Sequence, residues 1–427
     1  MARVGVFCFA GAGHIYPMTA LARRLMQRGH QAVFFGIADV EAQISGAGIE
    51  FCQIGASDYP MGTLAKLDRQ LAEVKGLETF RSTVERVKNT TRMVLRDGPD
   101  AVRRARVDVL LVDEADMGGN VAEYLGIPYI SVALFPPLTR DDRIPPFCFG
   151  WAGGQDALSR LRNRMGAKLL SWIAAPIFRM VNEQRRIWNL KPLNHSTDAL
   201  SRIAQIAQLP LALEFDIGKP PALIHYTGPF VDERSRAAID FPWEKLDGRP
   251  LVYASMGTLQ NGSEEIFRTI GAGCDGLGVQ VVISLGGGLD CARIGAIAGD
   301  PVVVRYAPQL ELVKRAALVI THAGLNTTLE SLAQGVPLLW IPIGNDQPGV
   351  AARVVAHGAG VAIPRSKLTS GLVRAAMQSI LDDEEYRMAA NRLQTAFRQL
   401  DGLEMAADII ERELKIGAAS AVRMSND

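Results

Sequence analysis

The segment Thr321-His-Ala-Gly-Leu-Asn-Thr-Thr328 follows directly on an apolar run, Leu318-Val-Ile320, and leads into a helix pattern from Asn326 to Gln334. A strand that passes into a helix through a short Gly-containing turn is the repeating unit of a parallel α/β sheet. At such a helix start several backbone N–H groups lack an intrahelical partner. The helix dipole adds partial positive charge, so the end is prepared for an anion. Gly324 lets a ligand come close to the backbone, and His322, Asn326 and Thr327 add side-chain donors. The arrangement suits a diphosphate. The plainer alternative is a capped helix with Asn326 or Thr327 as cap. His322 just before it and Glu330 one turn after Asn326 favour the ligand reading, because a carboxylate there is placed for ribose hydroxyls, by analogy with dinucleotide folds.

Around this segment the strand–helix alternation extends through the second half. Leu251–Ser255, Val279–Leu285, Val302–Tyr306 and Leu338–Ile341 read as strands. Glu264–Cys274, Pro348–Ala356, Glu384–Leu400 and Met405–Ile416 read as helices. Ser255-Met-Gly-Thr258 ends the first of these strands and offers Thr258 and the Gly257 backbone as further phosphate donors, or a plain turn. Gly344-Asn-Asp-Gln-Pro348 places Asp346 and Gln347 in a strand-end loop, suited to sugar hydroxyls or to a surface turn. Gly286-Gly-Gly288 is either a flexible turn or a place of close approach.

The first half repeats the pattern with different chemistry. Val4–Phe9, Ala32–Phe35, Val107–Val112 and Tyr129–Leu134 read as strands, with helices at Met18–Arg28 and Gly118–Leu125. Runs that are apolar throughout indicate a parallel sheet covered on both faces. His14 lies just past the first strand, beside Gly11 and Gly13, where it would point into a cleft and could act as a general base. Asp113, at a neighbouring strand end, is the candidate to orient it, with Asp116 as competitor. Gly11-Ala-Gly13 is not a dinucleotide fingerprint, since Tyr16 stands at the third glycine position; this weighs against a nicotinamide dehydrogenase.

A length of 427 residues predicts two or three domains. The boundaries read as 1–228 for a first domain with a helical insert at about 145–200, and 229–249 for a Pro-rich linker. A second domain spans 250–402, and 403–427 is a final helix and tail. With 48% hydrophobic and 21% charged residues, a disordered chain is excluded. Lys plus Arg is 46 against 45 for Asp plus Glu, which removes the footprint of a nucleic-acid binder. Five scattered Cys suggest neither a zinc site nor disulfides, and a cytoplasmic location is expected. No Asp-x-Asp cluster stands at the anion site, so no metal is expected there. The most apolar internal stretch, Leu169–Phe178, is too short to cross a bilayer and is expected to be interrupted at Pro176. Phe147, Phe149, Trp151, Trp172, Ile173, Ile177 and Phe178 in the insert are either ordinary core or an apolar pocket. Lys168 and Arg179 beside them make contact with a membrane surface a further expectation.

Taken in order, Tyr306-Ala-Pro-Gln309, His322-Ala-Gly-Leu-Asn-Thr327, Glu330, Gly335-Val-Pro337 and Asp346-Gln347 resemble the donor-binding signature of family 1-type UDP-glycosyltransferases, which are inverting enzymes of the GT-B fold. Val112-Asp-Glu-Ala-Asp-Met-Gly-Gly119, Ala254-Ser-Met-Gly-Thr-Leu-Gln260, Asp346-Gln-Pro-Gly-Val-Ala-Ala-Arg353 and Ala406-Ala-Asp-Ile-Ile-Glu411 look most like the carotenoid (zeaxanthin) glucosyltransferase branch. The resemblance implies two Rossmann-like domains facing a central cleft, with the C-terminal helix packed back on the N-terminal domain. It implies His14 as base, oriented by Asp113. Thr258, His322, Asn326 and Thr327 would hold the diphosphate, with Gly13, Ser255 and Gly324 bordering the donor. Tyr306 would stack on the nucleobase and Gln309 meet the uracil edge, Glu330 take the ribose hydroxyls, and Asp346 and Gln347 the sugar. Plant members carry Trp where Tyr306 stands, so uridine selectivity is implied less strictly. The implied partners are a UDP-sugar and a lipophilic alcohol, with no cofactor. A nucleotide-sugar 2-epimerase and a non-catalytic sugar-nucleotide-binding subunit remain alternatives on the same fold.

Overall fold

The computed structural model describes residues 1–67, 77–232, 239–257, 262–287 and 289–416. Two parallel sheets organise it. The first contains β1 (Arg3–Phe7), β2 (Gln31–Gly36), β3 (Glu50–Gln53), β4 (Val109–Asp113), β5 (Tyr129–Ala133), β6 (Gln205–Ala207) and β7 (Ile224–Tyr226), in the order β3-β2-β1-β4-β5-β6-β7. The second contains β8 (Leu251–Ser255), β9 (Gln280–Ser284), β10 (Val302–Val304), β11 (Ala316–Thr321), β12 (Leu338–Trp340) and β13 (Gly360–Ala362), in the order β10-β9-β8-β11-β12-β13. These are the two Rossmann-like α/β halves that the alternation implied. Successive side chains of a central strand feed opposite layers. Val6 packs with Leu21 and Leu25, whereas Phe7 packs with Met93 and Val102. Both faces are therefore covered, and β4 and β8 are buried along their whole length.

Each strand order reverses once, between β1 and β4 and between β8 and β11. At such a reversal the loops leaving adjacent strand ends diverge and leave a crevice, the usual ligand position in open α/β sheets.

Several local readings needed correction. The first helix spans Ala12–Gln27, so His14 and Pro17 lie within it rather than before a start at Met18. Gly11 is its extended N-cap, and Pro17 sits early enough to forfeit one backbone bond without ending the helix. The insert is built around one helix, Ala157–Ile187, which runs on through Pro176. Its inward side chains Ile177 and Val181 are buried with Leu95 and Leu193, and that packing outweighs the one amide lost at proline. The helices Leu77–Ala105 and Ser370–Asp382 and the short strands β3, β6, β7 and β13 carried no clear sequence signal. Among the described residues no helix is long and apolar enough to cross a membrane.

The last helix, Gly402–Leu414, returns to the first domain. Leu403, Ala406, Ala407 and Ile410 join the core of Leu21 and Leu25. Outside that core, Arg24 and Arg28 pair with Glu404, and Arg28 reaches Glu411 at 3.0 Å. A second tie between the halves is fully buried: Arg353 Nε meets Glu214 Oε1 at 2.7 Å, and Glu214 also accepts the Phe215 amide. Removing one partner of such a pair strands the other as an uncompensated charge.

Candidate active site

At the β1–β4 reversal the helix start carries His14 against the end of β4. Its Nδ1 lies 2.7 Å from Asp113 Oδ2. A carboxylate only accepts, so Nδ1 carries the hydrogen and Nε2 is left with the lone pair. Asp113 is fully buried and accepts three further bonds: from Phe9 N–H at 3.2 Å, from the Cys8 thiol at 3.6 Å and from Ala115 N–H at 3.0 Å. Those donors fix the position of the buried carboxylate. Burial alone would lower the His14 pKa. The Asp113 charge and hydrogen bond outweigh that, with Asp346 adding to them, and the pKa is raised.

Asp116 is not the partner. Its Oδ1 accepts Gly118 N–H at 2.7 Å, and burial pushes its pKa up to about 7. Glu114 is likewise pushed to about 8 by burial and holds Leu138 N–H at 2.8 Å. Burial thus pushes the pKa of two of the three neighbouring carboxyl groups up, and Asp113 is the one that His14 contacts directly.

At the β8–β11 reversal stands His322. Its ring is seated between two glycines: a Cβ at Gly257 would come within 2.5 Å of the ring and one at Gly324 within 2.6 Å. Gly257 also has φ +74°, a conformation that strains any larger residue. Burial pushes His322 down to about 4, although a hydrogen bond with the Ser255 backbone acts the other way. Unliganded, it is therefore a neutral imidazole at ordinary pH. Between His322 and Gly324, Ala323 is held at φ 71°, and Asn345 has φ 54° in the loop before Asp346. Non-glycine residues in this region are uncommon, and such strain concentrates at binding loops. Thr258 lies outside the described residues.

Asn326 joins the two reversals. Its Nδ2 donates to Gly13 C=O at 2.9 Å, and its Oδ1 accepts from Gln208 Nε2 at 2.9 Å. Pro17 explains the first bond. Residue 17 would normally donate its N–H to the carbonyl four positions back, and proline has none. The Gly13 carbonyl therefore lacks that helical partner and takes one from the opposite domain. Gln208 was not anticipated. It is buried, and it also donates to Leu134 C=O. Its sequence signal is a polar residue directly after the apolar strand Ile206-Ala207.

The remaining residues form a network on the second domain. Gln309 Nε2 donates to Glu330 Oε2 at 2.7 Å and to Thr327 Oγ1 at 3.3 Å, while its Oε1 accepts from Tyr253 OH at 3.2 Å. Both ends of that amide are thus engaged by protein, and Gln309 orients Glu330 instead of presenting an edge of its own. Tyr306 is 46% exposed, with its hydroxyl over Gly287, where a Cβ would lie 2.0 Å away. Gln347 folds its Oε1 back on the amides of Ile343 and Gly344 at 2.7 and 3.0 Å, bracing the loop of Asp346. Burial raises the Asp346 pKa, with His14 opposing it, so this second-domain carboxyl is close enough to feel the first-domain histidine. Phe9, Phe135 and Phe147 line the approach on the first domain, with ring centroids of Phe9 and Phe135 at 5.4 and 6.2 Å from His14. Trp172, by contrast, is 73% exposed and turned to solvent. Among the described residues no group of three His, Cys, Asp or Glu side chains is arranged to hold a metal ion.

Two Rossmann-like domains thus face each other, with the His14–Asp113 pair on one and the helix start at Leu325 on the other, joined by the bond from Asn326 to Gly13. Residues 245–411 match the UDP-glucoronosyl and UDP-glucosyl transferase family, and residues 10–140 match the glycosyltransferase family 28 N-terminal domain. The chain is 31% identical to the zeaxanthin glucosyltransferase of Pantoea ananas, over 95% of this chain and 94% of that one. It is 29% identical to the zeaxanthin glucosyltransferase of Pseudescherichia vulneris, over 94% and 95%. The solved calicheamicin glycosyltransferase CalG4 superposes with a TM-score of 0.71 at 19% identity, over 97% and 98% of the two chains, which shows the shared fold. The chain belongs to the UDP-glycosyltransferase family and is a glycosyltransferase.

Proposed function

We propose that this enzyme moves a hexose, glucose by preference, from UDP-hexose to a hydroxyl of a lipophilic small molecule with inversion at the anomeric carbon. His14 Nε2 takes the proton as the acceptor oxygen bonds to the anomeric carbon. The bond to the diphosphate breaks on the opposite face, giving a β-glycoside from an α-linked donor. Asp113 holds the imidazole tautomer and stabilises the imidazolium that forms. The start of the helix Leu325–Ala333, with His322, Asn326 and Thr327, receives the charge developing on the diphosphate. Tyr306 stacks on the base, Glu330 binds the ribose, and Asp346 and Gln347 hold the sugar. No cofactor and no metal take part in this scheme. The 2.7 Å contact of His14 with Asp113, facing the second domain, carries the reading. The two zeaxanthin glucosyltransferases support glucose as the sugar and a carotenoid-like acceptor.

The test is incubation with UDP-glucose and a panel of carotenoid, terpenoid, steroid and flavonoid alcohols, followed by mass spectrometry and NMR of the products. A hexose mass gain with a β-anomeric signal is expected. An α-linked product refutes inversion, and a changed sugar in the donor-only control refutes transfer in favour of epimerisation.

A further inference from the structure

The long helix Ala157–Ile187 is docked by one face only. Asn163, Gly166, Ile177 and Val181 are buried, and Asn163 Nδ2 holds Asp142 C=O at 2.8 Å. Gly166 lies so close to Trp151 that a Cβ would come within 2.7 Å of the ring. The opposite face is apolar and open. Leu158, Leu161, Met165, Leu169 and Trp172 recur at helical spacing and are 78%, 50%, 63%, 47% and 73% exposed. A soluble surface rarely leaves five large apolar side chains in one row.

Charge runs beside that row. Between residues 157 and 182 the chain carries Arg160, Arg162, Arg164, Lys168 and Arg179 and no acidic residue. Arg160 and Arg164 share Asp142 on the adjoining loop, at 2.7 and 3.2 Å, yet their side chains remain 46% and 59% exposed. Apolar ridge, basic flank and a terminal Trp are the features of a helix that lies in the interface of an anionic bilayer.

We infer that Leu158, Leu161, Met165, Leu169 and Trp172, with the basic row beside them, form a docking face for the surface of an anionic lipid bilayer. The position fits delivery of a lipophilic acceptor, in which respect the inference rests on the proposed function. The inward side of the same helix is seated on the 142–151 loop, where Phe149 stacks on Trp151 at 4.1 Å. In that loop Phe147 meets Phe135, which borders His14. The helix that carries the ridge therefore packs on the loop whose aromatic side chains continue to the imidazole.

The test is co-sedimentation of the full chain with vesicles of phosphatidylglycerol and phosphatidylcholine, against phosphatidylcholine alone, for the wild type and for Met165→Glu/Trp172→Glu. Wild-type binding at least about tenfold tighter to the anionic vesicles, weakened by salt and reduced at least about tenfold in the double variant, is expected. Absence of wild-type sedimentation, or equal binding by the double variant, overturns the inference. So does a wild-type dimer in analytical ultracentrifugation that the double variant dissociates, because the ridge is then a self-interface. An unchanged melting temperature and unchanged turnover of a water-soluble alcohol in the double variant show that the lost binding belongs to the surface. Failure of the acceptor panel with vesicle binding intact would instead strike the proposed function alone.

Discussion

His14 and His322 each stand where the strand order of their sheet reverses, yet the protein gives them opposite characters. His14 has a buried carboxylate at 2.7 Å and is raised above its ordinary 6.5. His322 is wedged between glycines, and desolvation pushes it to about 4. The contrast follows from what faces each ring. An imidazole that must accept a proton needs a counter-charge to hold the cation it becomes. In the proposed scheme His322 faces a diphosphate and can serve as a neutral hydrogen-bonding group, while the helix start supplies the positive field.

The strongest challenge to this contrast is removal of the first imidazole. His14→Ala should lower kcat by about 10²- to 10⁴-fold, while calorimetry shows UDP bound as in the wild type. Near-wild-type turnover would erase the distinction between the two histidines. Next in size is Asp113→Asn, which keeps a polar contact but removes the charge; a loss of about 10- to 10³-fold in kcat is expected. Its sign in pH is also fixed. The base works only when deprotonated, so kcat/KM rises with pH through the His14 pKa. Asp113 raises that pKa, and Asp113→Asn should therefore move the rising limb to lower pH as well as lower the plateau. A limb that stays in place would mean that another group titrates.

Smaller effects sharpen the comparison on the second domain. Gly257→Ala meets both a left-handed φ and the His322 ring, whereas Gly324→Ala, with φ −62°, meets the ring alone. Both should raise the donor KM, by about tenfold. Only Gly257→Ala should also lower stability by a further ~1 kcal/mol, read from denaturant melts. Equal stability losses would show that backbone strain at Gly257 is unimportant. The smallest change is expected from His322→Gln, a weakening of UDP binding by about three- to tenfold. Between about pH 6 and about pH 8 the pH dependence of that binding should be unaltered, since His322 is already neutral there. A pH dependence that vanishes in His322→Gln would show that this ring binds as a cation.

Much of this site is legible before folding because its elements are contiguous. Thr321 to Thr328 encodes a strand end, a glycine turn and a helix start, and these local features survive in place as β11 and the helix Leu325–Ala333. His14 and Asp113 were readable as candidates because each follows an apolar run. The choice between Asp113 and Asp116 was not. It depends on the parallel pairing of β1 with β4, a contact about a hundred residues apart, and on Asp116 being occupied by Gly118 N–H. The same holds for Gln309, whose amide is taken up by Glu330, Thr327 and Tyr253. The early start of the first helix was hidden by Pro17, and the continuity of the long one by Pro176. In both cases packing of an apolar helix face overrides a local breaker.

The order of apolar runs, glycine turns and polar strand ends determined by itself that two parallel sheets form, and which loops carry reactive side chains. Those are local properties, set by backbone sterics and by the burial of short segments. Tertiary structure alone decided the direction in which the pKa of each histidine moves, the bond from Asn326 to Gly13 across the cleft, and the face of the helix Ala157–Ile187 that is left open. A side chain's protonation and exposure depend on neighbours remote in the chain, and only the packed fold brings those neighbours within reach.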